Sequence, residues 1–212
     1  MPQGLSATDV ISNYLKAIGG TDKIKAVKDY SFTVKGNVQG QEIEYVSKYK
    51  VPGHMLLMIS LAASRQVLQK VLVNGNDISL SAMGQEHTLD SATKERLKEE
   101  AMPFAETQFL SPTYQLSLQP MIADVDGKDT YVVEIKSAAG TEMKEYFDAK
   151  TGLKLKKEMS TQSGTSTITY GDYKEVNGIM VAYSETLSQG IDIPLKATDV
   201  KINSGLKDDE FK

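Results

Sequence analysis

Residues 166–179 read Ser166-Thr167-Ile168-Thr169-Tyr170-Gly171-Asp172-Tyr173-Lys174-Glu175-Val176-Asn177-Gly178-Ile179. The first five alternate, with Ile168 and Tyr170 on one side and threonines on the other. That is the pattern of a strand with one buried and one wet face. Asn177-Gly178 then supplies two neighbours that tolerate positive φ, as a two-residue hairpin requires. The same grammar extends outward. Thr130-Tyr131-Val132-Val133-Glu134-Ile135-Lys136 and Ser31-Phe32-Thr33-Val34-Lys35 alternate as well. Further turn signals stand at Gln39-Gly40, Pro52-Gly53, Asn74-Gly75, Met83-Gly84, Asp126-Gly127, Ala139-Gly140, Thr151-Gly152, Ser163-Gly164 and Gln189-Gly190. Alternating runs between such turns predict an antiparallel meander. In 66–73, Val67, Leu68, Val71 and Leu72 also fit a helix. Short length, β-branched content and the Asn74-Gly75 that follows make this segment a strand.

Two stretches read as helices. Ala7 to Ile18 places Val10, Ile11, Tyr14, Leu15 and Ile18 on one face, with Ser6 or Thr8 to cap it and Gly19-Gly20 to end it. Asp90 to Ala101 starts on Asp90-Ser91 and stops before Pro103. Its apolar stripe is narrow (Ala92, Leu97, Ala101), so it should lie on a surface. The one interruption is 101–120, where Pro103, Pro112 and Pro120 break an apolar run.

The 212 residues carry a net charge of -4, from 24 basic and 28 acidic side chains. Mild acidity argues against nucleic-acid binding, which needs a clustered positive field. A chain of this length buries enough surface to fold without a staple. It has no cysteine, which excludes a thiol nucleophile, a thiolate zinc site and a disulfide. Residues 1–20 hold no apolar stretch longer than two residues, so no signal-peptide core is expected there. The most apolar window, Met55 to Ala63, is nine residues long, and a membrane span needs about 20.

Catalytic motifs are missing. His54 and His87 stand in neither His-Glu-x-x-His nor its inverse, and a catalytic zinc usually takes three protein ligands. Asp124-Val125-Asp126-Gly127 fails the calcium-loop spacing and reads as a hairpin. There is no Gly-x-Ser-x-Gly elbow and no glycine-rich phosphate loop. What remains is shape. Met55, Leu57, Ile59 and Leu61 line one strand face while Leu56 and Met58 are apolar on the other, so this strand must be covered on both sides.

Four stretches carry a family resemblance. Ala7 to Gly20 resembles the opening helix of the LolA-like periplasmic proteins of the Bacteroides group. Glu145-Tyr146-Phe147-Asp148-Ala149-Lys150-Thr151-Gly152-Leu153 resembles their mid-sheet hairpin. Tyr170 to Ile179 resembles a later one, and the closing Asp208-Asp209-Glu210-Phe211 also fits. With their spacing, the likeness spans nearly the whole chain. It implies a mainly β (α+β) single domain over 1–212, with 1–6 a linker or added start. The domain would be one strongly curved antiparallel half-barrel sheet of about eleven strands, its concave side plugged by two or three helices. The lipoprotein carriers of this fold hold acyl chains in that cleft, which implies a periplasmic, non-catalytic module for a lipid or other apolar ligand. The resemblance also extends to the C-terminal appendage of exported insulinase-type zinc peptidases. The alternative is therefore an accessory domain whose partner is an upstream peptidase of the same polypeptide. Neither reading brings a cofactor, a metal, a nucleic-acid partner or a transmembrane segment.

A single-layer sheet of that size twists by roughly 20–25° per strand and curls, leaving more apolar surface than two short helices cover. The expected opening is an elongated apolar cavity beside the 101–110 loop. It would be lined by Met55, Leu57, Ile59, Leu97, Met102, Phe104, Phe109 and Leu110.

Overall fold

The computed structural model describes residues 4–161 and 164–212. Helices α1 (Ala7–Ala17) and α2 (Thr21–Lys25) come first. Strands β1 (Asp29–Val38), β2 (Gln41–Lys50), β3 (His54–Leu61), β4 (Val67–Asn74), β5 (Asp77–Ala82) and β6 (Gln85–Glu86) follow, then α3 (Ser91–Glu100) and a 3-10 turn over Ala105–Thr107. The rest is β7 (Gln115–Leu118), β8 (Ala123–Val125), β9 (Lys128–Lys136), β10 (Glu142–Asp148), β11 (Lys154–Thr161), β12 (Gly164–Val176), β13 (Ile179–Ser188) and β14 (Asp192–Ile202), closed by a 3-10 turn over Asp208–Phe211.

The fold is mostly β, one antiparallel sheet ordered β6-β5-β4-β3-β2-β1-β14-β13-β12-β11-β10-β9-β7, with β8 also on β9. β6 and β7 end that order, so the sheet is not closed into a barrel. Fourteen strands are described, where about eleven were expected. The extra ones include β6, β7 and β8, which are two to four residues long and too short to show an alternation. The five-residue α2, with only Ile24 buried, escaped for the same reason.

The chain divides into two compact units. The α1 unit comprises the described residues up to Lys25 together with Glu106–Asp192, and the α3 unit comprises Ala26–Ala105 with Ile193–Lys212.

In the α1 unit, Ser6 opens the helix through a capping box: its hydroxyl accepts from the Asp9 amide, and the Asp9 carboxylate accepts from the Ser6 amide. Val10, Ile11, Tyr14, Leu15 and Ile18 are buried, the face expected from their spacing. Beyond the helix, Ile18 accepts a hydrogen bond from the Met180 amide. The chain runs so close there that a Cβ on Gly19 would stand 2.5 Å from the Gly178 carbonyl oxygen. Asn177 and Gly178 both have positive φ and join β12 to β13, as expected.

In the α3 unit, Asp90 caps α3 by accepting from the Thr93 amide at 2.7 Å, within a turn of the expected start. The hairpins at Gln39-Gly40 and Met83-Gly84 have positive φ at both central residues. Asn74-Gly75 departs from expectation: Asn74 still pairs, with Asp77, so the loop is Gly75-Asn76 and only Gly75 has positive φ. The Asn74 side chain donates to the carbonyl oxygen of Phe211 at 3.5 Å.

Candidate functional site

β3 is covered on both faces, as its composition demands. Its odd-numbered residues share a face with α3: Met55, Val71, Val73, Leu97 and Ala101 form a buried cluster, and Tyr49, Leu57, Ile78, Leu80 and Leu89 pack on it half-buried. The opposite face meets the closing turn. The Phe211 ring lies 5.6 Å from that of His54, while Lys48 and Lys50 pair with Glu210 and Asp208 at 2.6 Å each.

Register extends the α3 face sideways. Met55, Leu57 and Ile59 oppose Tyr49, Ser47 and Tyr45 of β2, and Tyr49 opposes Tyr30 of β1. Tyr30 stacks within 6.2 Å of both Phe32 and Tyr49, and Phe104 of the 102–104 segment lies 5.3 Å from Tyr30. Helix α3 gives this wide face only one buried large side chain, Leu97. Tyr30, Tyr45, Tyr49, Leu57, Ile59 and Phe104 therefore stay half-buried, and burial raises the Tyr45 phenol above its ordinary value.

Six of the eight expected residues thus belong to the α3 unit. Met55 and Leu97 are wholly inside its core, Leu57 packs on them, and Ile59, Met102 and Phe104 are half-buried. Phe109 and Leu110 belong to the α1 unit, where Phe109 is buried against Tyr114 at 5.2 Å and Leu110 is 41% exposed. A groove of about 670 Å³ lies on the α1 unit's sheet, lined by Leu116, Ile135, Met143 and Met159 together with charged residues such as Glu134, Lys136, Glu142, Lys144 and Glu158. None of the eight lines it. A second, of about 420 Å³, runs between α1 and the 148–152 turn.

The α1 unit buries charge. On β10, Met143, Glu145 and Phe147 share one face, and the Phe147 ring meets Tyr14 of α1 at 5.2 Å. Lys154 of β11 pairs there with Glu106 and lies 3.4 Å from Glu145 Oε1. Its ammonium also sits 4.9 Å from the Tyr170 ring centre and 5.6 Å from that of Tyr14, close enough for cation–π attraction. The Tyr173 hydroxyl donates to the Lys154 carbonyl oxygen at 2.7 Å. All three ionic side chains are buried.

Burial and pairing oppose each other in this cluster. Burial alone pushes the Lys154 ammonium down, but Glu106 and Glu145 outweigh it and hold the lysine well above its usual range. Burial pushes Glu106 up, and Lys154 overcomes that, leaving it below its ordinary value. For Glu145 burial wins over the more distant Lys154, and its carboxyl is raised. Glu185, opposite Tyr170 on β13, is pushed up to about 7 by burial, with Lys154 opposing. Sequence reasoning missed these residues because a polar side chain in an alternating strand reads as solvent-facing. One signal was present: Glu145 stands two residues from both Met143 and Phe147, in the apolar register.

No protein-family model and no curated protein matches the sequence. Solved structures share its fold over nearly the full length. The chain is similar to a LolA superfamily protein from Nitrosomonas europaea, with a TM-score of 0.63 and 17% identity over 99% of this chain and 98% of that one. It is also similar to a DUF1329 family protein from Desulfovibrio piger, with a TM-score of 0.62 and 15% identity over 97% of each chain. The protein has a LolA-like fold. Among the described residues no helix is long and apolar enough to cross a membrane.

Proposed function

We propose that this protein is a non-catalytic, periplasmic binding module that holds a lipid or other apolar ligand against the α3 face. The observation that carries this reading is the half-buried patch of Tyr30, Tyr45, Tyr49, Leu57, Ile59 and Phe104 beside the core that α3 seals. The LolA-like fold supports it. Micromolar binding is worth about 8 kcal/mol. At about 0.8 kcal/mol per buried methylene, it takes on the order of ten methylenes. A long acyl chain meets that requirement, and a small apolar molecule does not.

The test uses protein stripped of lipid, a fluorescent long-chain fatty-acid probe and Leu57→Trp. The chain has no tryptophan, so the new indole is the sole indole reporter. The expected result is micromolar binding to the native protein and at least about tenfold weaker binding to the variant, with stability unchanged. A closed core would instead lose roughly 1–3 kcal/mol to overpacking. If the native protein also binds no probe, the carrier reading falls. The accessory domain of an insulinase-type zinc peptidase then takes its place.

A further inference from the structure

One acceptor in the charged layer of the α1 unit has no partner. Glu106 and Glu145 pair with Lys154, and Lys157 stands directly opposite Glu145 in the sheet. Glu145 Oε2 is nevertheless buried and accepts no hydrogen bond, in a residue that is 1% exposed. A buried carboxylate oxygen left bare is expensive, so such an atom calls for a donor. Lys154 does not supply one. Its ammonium is taken by Glu106 and the two tyrosine rings, and it reaches Glu145 only through Oε1. A metal ion is a poor answer, because among the described residues no three acidic or histidine groups converge as metal ligands.

The surroundings suggest what the donor is attached to. On the same face, one row beyond Glu145, Leu116, Ile135, Met143 and Met159 lie side by side across β7, β9, β10 and β11. Leu116, Met143 and Met159 are only half-buried. We propose that this face is a second ligand site, which takes an amphiphile with an N–H-bearing cationic head: the head donates to Glu145 Oε2 and the tail lies along the Leu116–Met143–Met159 row. The site is separate from the α3 face and stands or falls without it.

The probes are dodecylammonium, dodecyltrimethylammonium, dodecanol and dodecanoate, titrated by calorimetry below their micelle concentrations into lipid-stripped protein. Dodecylammonium is expected to bind about tenfold tighter than dodecanol, as a charge-assisted hydrogen bond to a buried group provides. The trimethyl cation, which has no N–H, should gain little over the alcohol, and dodecanoate should bind weakest. Glu145→Gln keeps the shape and removes the charge, so it should erase the preference for the ammonium while leaving alcohol binding intact. Leu57→Trp should leave the preference unchanged, which separates this site from the α3 face. Affinity for dodecylammonium should rise with pH, because the ligand competes with protons for the Glu145 carboxyl, whereas dodecanol binding should stay flat. Equal affinities for ammonium and alcohol, a preference that survives in Glu145→Gln, or no binding of any of the four probes would each overturn the proposal.

Discussion

The two units meet the same problem, a sheet face beneath a short helix, with opposite chemistry. Under α3 the filling is apolar throughout, from Met55, Val71 and Val73 to Leu97, and the uncovered margin is aromatic. Under α1 the apolar layer of Tyr14 and Phe147 gives way within one strand step to Lys154, Glu106 and Glu145. The lesson is one of tolerance. An apolar face degrades gradually when trimmed, because each side chain contributes its own area. A buried ionic cluster fails abruptly, because removing one member strands the others in a medium that solvates them poorly.

Breaking the ionic cluster puts that difference to its sharpest test. Lys154→Met should destabilise the protein by about 3–5 kcal/mol, since Glu106 and Glu145 lose their shared cation. Adding Glu106→Leu and Glu145→Leu to it should recover most of the loss, because apolar groups of similar volume often equal or outdo a buried ion set. Urea denaturation of the single and triple variants checks both statements. A single variant as stable as the native protein would show that the cluster is solvated, and the contrast between the units would collapse.

On the apolar side, Met55→Ala should cost about 2–5 kcal/mol, the range for emptying a fully buried methionine. Ile59→Ala should cost clearly less, since its side chain is half-buried. No compensating partner exists for either, so a second substitution should add to the first rather than rescue it. Equal losses for Met55 and Ile59 would mean that the margin of the α3 face is as tightly sealed as its centre.

The smallest effect is in pH. Glu185 is held at about 7, above its ordinary 4.5, so the folded state binds the extra proton. Its contribution to stability is complete below about 4.5 and is lost as pH rises through about 7. Glu106, held low by Lys154, contributes with the opposite sign, above its ordinary value and fading in acid. Melting curves between pH 5 and pH 8 should therefore fall slightly with pH, and Glu185→Gln should flatten that slope. An unchanged slope in the variant would show that Glu185 does not carry it.

Much of the fold was legible residue by residue. Ser6 and Asp9 announce α1, Asp90 announces α3, and Asn177-Gly178 sets the β12–β13 turn, because caps and tight turns are settled by neighbours in sequence. The strand assignment of 66–73 rested on β-branched content and holds for β4. Asn74-Gly75 slipped by one residue, since the β4–β5 ladder runs on through the Asn74–Asp77 pair and register belongs to the whole pair of strands. The candidate site was legible only in part. Alternation alone places Met55, Leu57 and Ile59 on one face, and register and packing then add Tyr30, Tyr45 and Tyr49, which no local pattern marks as partners.

Residue order alone marks this chain as an antiparallel sheet with two capped helices and shows no motif of thiol, zinc or phosphate-loop chemistry. Those properties depend on residue type and short spacing, and both can be read along the chain. That Lys154, Glu106 and Glu145 share a buried layer, with Glu185 half-buried beside it, follows only from the three-dimensional packing. Their meeting depends on which faces four separate segments turn toward each other. A charged residue in an alternating strand has the same local pattern whether it meets water or another charge.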